Sequence, residues 1–134
     1  MGSSVLLISN KMDNKKTGLL IILALITFSL KAQLNQTKWK TTLHLENATE
    51  VYFEFGRDSL KVFVVADSSL LETNLYTEKG GELNILKVNG ISNCEGMTGK
   101  YKFEIKNDQM VLTVVSDPCM DRAEVLEKAV ITRL

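Results

Sequence analysis

The sequence is poor in the side chains that carry most protein chemistry. It holds one histidine and two cysteines, too few for a closed zinc site of the usual kind. Basic and acidic side chains number 16 each, so the basic excess that nucleic-acid binding needs is missing. Neither a P-loop nor a Gly-x-Gly-x-x-Gly pattern is present. These absences predict a protein with no metal, no cofactor and no nucleic-acid partner.

Candidate catalytic groups are equally scarce. Nucleophilic catalysis needs a base beside a serine or cysteine, and the one histidine, His44, lies on the polar face of a predicted strand, where we expect it to be solvated. Asp117 and Asp121 are a conceivable acid–base pair, but helix capping and pairing with Arg122 is the simpler role. They also fall short of the roughly six to eight oxygen ligands that calcium takes. The sequence therefore predicts that the protein is not an enzyme.

The N-terminal segment indicates export. Lys15 and Lys16 precede an apolar run from Gly18 to Leu30, and Ala32 ends an acceptable cleavage site. The run is shorter than the ~20 residues that span a bilayer. We therefore predict a signal peptide over residues 1–32, with an uncleaved membrane anchor as the alternative.

Removal of this segment leaves residues 33–134, the length of one small domain. Met12 offers a better-proportioned start, which would make residues 1–11 an upstream extension. The remaining chain has a small acidic excess and no further apolar run, so no membrane span is expected after cleavage. We predict a periplasmic or extracellular protein.

Cys94 and Cys119 are the only cysteines, and both lie in the predicted exported part. An even number of cysteines in an oxidising compartment usually means a disulfide. Such a bridge would stabilise the fold by about 3–4 kcal/mol on the chain-entropy model. The alternative, a redox or nucleophilic cysteine, lacks a Cys-x-x-Cys motif and a neighbouring base.

Apolar and polar residues alternate with the period of two that is typical of half-buried strands. Turn signals separate these runs at Gly56-Arg57-Asp58, Gly80-Gly81 and Asn107-Asp108. The pattern predicts eight strands, over residues 38–45, 51–55, 60–65, 70–78, 83–88, 100–106, 110–114 and 128–133.

Residues 119–127 break the alternation and predict a short helix. Pro118 suits its first turn and Asp117 its N-cap. Eight short strands with one apolar face each are buried most economically in a closed barrel. We therefore predict an all-β fold, an up-and-down antiparallel barrel with one helix before the last strand; a β-sandwich is the alternative.

The C-terminal half resembles a known family. The segments 94–103 and 112–119, followed by Asp121-Arg122 and Leu126, resemble the small bacterial lipocalin-like proteins of the calycin type. These proteins are secreted or lipid-anchored eight-stranded barrels. Their C-terminal half runs Cys, Gly-x-Tyr, a strand pair, Asp-x-Cys-x-x-Arg and a final strand. The resemblance implies a fold and a habit of holding small apolar molecules, and it implies no reaction.

The resemblance also gives Trp39 a structural role. Lipocalins place a tryptophan near the start of the first strand, often after a glycine; here Thr37 stands at the position of that glycine. A late arginine often covers the tryptophan, so the resemblance implies this role for Arg122 or Arg133. Ile131 stands where related chains often have a second tryptophan.

Two functions remain as hypotheses. An eight-stranded barrel is either filled by its own side chains or holds one small ligand, and short strands with large phenylalanines predict a pocket that is small or open at one end. The candidate pocket residues, which could equally be plain core, are Phe53, Phe55, Val62, Tyr101 and Phe103.

The second hypothesis is an interaction role, as an inhibitor or a component of an envelope assembly that binds another envelope or extracellular protein. Loops on a rigid scaffold would then form the binding surface. The polar, glycine-rich loop 89–99, tethered at Cys94, is the best candidate, unless it is only a long connection. A third possibility is a structural envelope protein with no dedicated ligand.

Overall fold

The computed structural model describes residues 33–134, so the predicted signal peptide, 1–32, lies outside the described residues. Within residues 33–134, eight strands and one helix follow each other. Their bounds are β1 Thr37–His44, β2 Ala48–Phe55, β3 Ser59–Val64, β4 Leu70–Lys79, β5 Glu82–Gly90, β6 Thr98–Lys106, β7 Gln109–Ser116, α1 Met120–Glu127 and β8 Ile131–Arg133. No helix within this part of the chain is long and apolar enough to cross a membrane.

The strands form a closed antiparallel barrel. Each strand pairs with the next one in sequence, and β8 pairs with both β7 and β1. This closure confirms the predicted barrel and rules out the two-sheet sandwich. The closing strand is short: Trp39 and Lys40 of β1 face Arg133 and Thr132 of β8.

Tight turns connect the hairpins at one end of the barrel. Gly80 and Gly81 have φ of 57° and 77°, the positive values that a two-residue hairpin turn requires. Asn107 and Asp108 adopt φ of 50° and 62°, which these two residue types tolerate better than most. This end, with the turn at Gly56, is called the closed end below.

The longer connections lie at the opposite end, called the open end. In an up-and-down barrel alternate connections share an end, so the β1–β2, β3–β4 and β5–β6 loops lie here together with α1. Trp39, Thr41 and Leu43 are buried, so the alternation of β1 predicted their inward face correctly. Leu45 is 42% exposed because β1 ends at His44 and the chain turns there.

Two predictions at the ends of α1 are wrong. The last strand begins at Ile131 and not at residue 128, because Lys128 is the C-cap of α1. The N-cap of α1 is Cys119 and not Asp117. Asp117 instead accepts a hydrogen bond from the Cys119 N–H at 2.9 Å. Because the helix begins at Met120, Pro118 lies before the helix and not in its first turn.

Trp39 is fully buried near the closed end. Its indole N–H donates to the Thr37 hydroxyl at 2.8 Å, so the threonine at the glycine position of the resemblance serves as an acceptor. The guanidinium carbon of Arg133 lies 4.8 Å from the centre of the indole ring, within cation–π distance. Of the two arginines considered for this place, it is therefore Arg133 that covers the tryptophan.

Candidate functional site

The interior of the barrel contains a cavity of about 780 Å³. Phe53, Phe55 and Val62, three of the predicted pocket residues, line it. Tyr101 and Phe103 are buried in the core but do not line it. Further apolar wall residues on the strands and the helix are Leu43, Leu60, Leu71, Leu83, Ile85, Met110, Leu112, Val125 and Leu126.

The cavity reaches the surface at the open end of the barrel. The end of β1 and the β1–β2 turn contribute residues 44–47, and the β5–β6 loop contributes residues 91–93. Helix α1 supplies a further side, in which Leu126 is buried and Val125 half-buried. His44, predicted to be solvated, is exposed and lies at this mouth. Phe53 and Phe55 therefore form part of the wall, and the interior next to the open end stays unfilled.

A disulfide fixes one side of the mouth. Cys94 in the β5–β6 loop and Cys119 at the N-cap of α1 are bonded, with Cα atoms 5.5 Å apart. Both cysteines are buried. The bridge therefore holds the loop and the start of the helix together, as predicted from the cysteine count.

Arg122 and Asp117 form a buried ion pair beside this disulfide. The Asp117 side chain is 0% exposed and that of Arg122 is 8% exposed. Arg122 donates from Nε to Oδ2 and from Nη2 to Oδ1 of Asp117, both at 2.8 Å. Nη2 also donates to the Met97 carbonyl at 2.9 Å, and the Tyr101 hydroxyl donates to Asp117. The pair thus joins α1, the β5–β6 loop and strand β6.

These contacts determine the protonation of the pair. Burial by itself would raise the pKa of Asp117, but hydrogen bonds from Arg122, Tyr101 and the Cys119 N–H outweigh it, so the pKa lies below its usual value. Burial and the adjacent carboxylate together raise the pKa of Tyr101 far above its usual value. At neutral pH the cluster therefore holds one carboxylate, one guanidinium and one neutral phenol, and no group in it is poised for proton transfer.

Gly99 leaves room for this cluster. A Cβ atom at Gly99 would lie 2.6 Å from Oδ2 of Asp117 and 2.8 Å from the Tyr101 ring. Both contacts are shorter than real Cβ contacts, so the carboxylate can approach strand β6 only because this residue has no side chain. The Gly-x-Tyr pair noted in the sequence thus has a packing function here.

A second buried cation, Lys87, also stabilises the β5–β6 loop. Lys87 follows Leu83 and Ile85 on the inward face of β5, and its residue exposure is 5%. Its ammonium group donates to the Ser92 carbonyl and to the Glu95 carboxylate. Lys87 continues the alternating burial of β5, but nothing local in the sequence indicates its two partners.

Three polar atoms on residues that line the cavity have no hydrogen-bond partner within the described residues. They are Nη1 of Arg122, Oδ1 of Asn74 and Oγ of Ser92, all shielded from bulk water. Arg122 uses its other two nitrogens on Asp117, which leaves Nη1 as the free edge of the guanidinium. An unpartnered buried polar atom costs about 1–3 kcal/mol. These three atoms are closed to water from the cavity as well as from outside, so they lie behind the wall surface and do not face a ligand.

The described residues contain no arrangement that would suggest a metal centre. Among residues 33–134, no three His, Cys, Asp or Glu side chains are placed so that they could hold a metal ion. Comparison with protein-family models, curated proteins and solved structures finds no match to this chain. The functional argument therefore rests on the cavity and its mouth.

Proposed function

We propose that the protein is an exported, lipocalin-like carrier that binds a small apolar ligand in the barrel cavity. The single observation that supports this proposal most is the cavity itself. Its volume of about 780 Å³ falls within the ~300–1,000 Å³ typical of ligand pockets. A predominantly apolar wall with few polar groups and one open end is the usual form of such a site.

The proposed location agrees with the chemistry of the mouth. The Cys94–Cys119 disulfide is stable in an oxidising compartment and is rare in the cytosol. The Asp117–Arg122 ion pair and the contacts of Lys87 also hold the β5–β6 loop in place. A rim that is fixed in this way keeps a pocket formed before the ligand arrives, which reduces the ordering cost of binding.

Binding of N-phenyl-1-naphthylamine, an uncharged dye that fluoresces in apolar surroundings, tests the proposal. The full chain is expressed in an exporting bacterial host, and the oxidised product is purified and its mass recorded under native conditions. We expect saturable binding of one dye molecule per protein. No binding by the folded, oxidised protein would overturn the carrier function.

A pair of matched variants locates the dye. Val62 is 9% exposed and lines the cavity, whereas Val111 is 61% exposed on the outer face of β7. Val62→Phe adds volume to the cavity and should weaken dye binding several-fold, while Val111→Phe should leave it unchanged. Circular dichroism and thermal melting verify that both variants fold. Equal dye binding by all three proteins would place the dye outside the barrel.

A protein-interaction role is the second candidate. Large apolar side chains are exposed at the open end: Leu45, Ile91 and Met120 have exposures of 42%, 63% and 78%. Such residues on loops are typical of binding surfaces. Cross-linking in an envelope extract of the source cell tests this role, and loss of a specific cross-linked partner in an Ile91→Ser variant would support it.

A further inference from the structure

We infer that the open end of the barrel docks on a lipid bilayer whose surface carries no net charge, and that the ligand passes between this bilayer and the cavity. The inference rests on the proposed carrier function and names the partner of the same mouth. It follows from two observations: the apolar side chains exposed around the mouth, and the carboxylates of the loops that bear them.

Every connection at the open end exposes at least one large apolar side chain. Leu45 lies in the β1–β2 turn, Ile91 in the β5–β6 loop and Met120 at the start of α1. Leu70, the first residue of β4, follows the β3–β4 loop and is 52% exposed. These four residues are called the apolar rim below. Within residues 33–134, the turns of the closed end, 56–58, 80–81 and 107–108, expose no large apolar side chain, so the rim is a feature of the mouth.

The apolar rim is continuous with the cavity wall. Leu45 and Ile91 are exposed and also line the cavity. Leu71 and Asp121, the chain neighbours of the other two rim residues, line it as well. The exposed apolar side chains therefore surround an opening and do not form a flat patch. A bilayer surface can cover such a ring as a whole, and an apolar ligand can then pass between lipid and cavity without the cost of entering water.

The disulfide holds two rim residues at the surface. Met120 directly follows Cys119, and Ile91 lies in the same loop as Cys94. The bond between the two cysteines joins these segments, so the backbone that bears both rim residues is fixed at the mouth. Exposed apolar residues that cluster at one place mark an interaction site. The rim is therefore presented to a partner as part of the folded structure.

The charges of the loops determine which surface fits. Loops 45–47, 65–69 and 91–97 contain the carboxylates of Glu46, Asp67 and Glu95 and no lysine or arginine. Glu95 is paired with Lys87, whereas Glu46 and Asp67 have no cation within 4.0 Å among residues 33–134. An anionic bilayer would repel these loops. A second copy placed mouth to mouth would set the same carboxylates against each other, so a zwitterionic bilayer is the best match.

Flotation with lipid vesicles on a density gradient tests the inference. The oxidised protein, prepared as for the dye experiment, is mixed with vesicles of phosphatidylcholine, or of equal parts of phosphatidylcholine and phosphatidylglycerol. We expect reversible binding to phosphatidylcholine, and about threefold weaker binding to the mixed vesicles at low salt, with a smaller difference at high salt. No binding to phosphatidylcholine, or tighter binding to the mixed vesicles, would overturn the inference.

Two double variants locate the docking surface. Ile91→Ser, Met120→Ser removes half of the rim, whereas Leu75→Ser, Val111→Ser removes two exposed side chains from the outer wall of the barrel. The rim variant should bind phosphatidylcholine vesicles at least about tenfold more weakly, and the wall variant should bind like the parent protein. Circular dichroism and thermal melting verify that both fold. Equal binding by the two folded variants would overturn the inference.

Transfer of N-phenyl-1-naphthylamine from the protein to phosphatidylcholine vesicles tests the passage of ligand. The vesicles contain a doxyl-labelled lipid that quenches the dye, and transfer is followed by stopped flow. Passage in the docked state predicts a rate that rises with vesicle concentration and falls in the rim variant. A rate that does not depend on vesicle concentration would mean release into water and would overturn this part.

The outcomes separate the two proposals. If the dye binds in the cavity but the protein does not float with phosphatidylcholine, only the docking inference fails. Loss of a cross-linked protein partner in Ile91→Ser would then identify the rim as a protein interface. If the protein floats but binds no dye, the carrier function and the passage of ligand fail, and the docking surface remains.

Discussion

Replacement of Asp117 by asparagine tests the central structural element of the mouth. The side chain is nearly isosteric, so packing against Gly99 and Tyr101 is largely preserved, but the negative charge is lost. Arg122, whose side chain is only 8% exposed, would then keep a buried positive charge with a neutral partner. The resulting destabilisation is therefore electrostatic in origin, not steric.

The expected magnitude is large for a domain of this size. Removing one partner of a buried ion pair costs about 3–5 kcal/mol, against a total stability of about 5–15 kcal/mol for a typical domain. At about 4–8 °C per kcal/mol, the lower limit corresponds to a decrease in melting temperature of about 12–24 °C. Urea unfolding of the oxidised protein at pH 7 measures the free-energy difference directly.

The pH dependence distinguishes an ionic contribution from a packing defect. The pKa of Asp117 is lowered in the folded protein, so its ionisation stabilises the fold at pH values above the unfolded pKa of about 3.9. This stabilisation is lost as the pH falls through the folded pKa. The difference between the parent protein and Asp117→Asn should therefore be greatest at neutral pH and shrink below about pH 4.

A variant of an exposed carboxylate serves as the control. Glu104 is exposed on β6, so Glu104→Gln should change the free energy of unfolding by less than about 0.5 kcal/mol. The reasoning would be refuted if Asp117→Asn lay within about 1 kcal/mol of the parent protein at pH 7. A large difference that stayed constant down to acid pH would also refute it, because it would point to packing and not to charge.

Three further predictions concern the frame of the barrel. Cys94→Ser opens a bridge with a sequence separation of 25, so the free energy of unfolding should fall by about 3.5 kcal/mol; an equal Tm for oxidised and reduced parent protein would contradict this. Trp39 is 0% exposed, so its fluorescence should be strongly blue-shifted from that of free indole in water. Gly99→Ala should lower the melting temperature by at least about 5 °C, whereas Gly96→Ala, whose Cβ has nothing within 4 Å but whose φ is 70°, should cost less.

The sequence by itself determined the strands and their inward faces. Alternation is a local property with the period of the strand, so Val51, Phe53 and Phe55 could be assigned to one face from their spacing. The turns at Gly80-Gly81 and Asn107-Asp108 were equally local, because these residue types tolerate positive φ. With only two cysteines in the chain, the disulfide had one possible pairing.

The tertiary structure alone decided how distant residues meet. The partners of Lys87 lie across a loop, and Arg133 rather than Arg122 covers Trp39, because β8 closes the barrel against β1. The division between wall and core was also out of reach, since Phe53 lines the cavity and Phe103 does not, although both lie inward on their strands. The size of a cavity depends on how all inward side chains fill a closed barrel together, which is a property of three-dimensional packing and not of any local pattern.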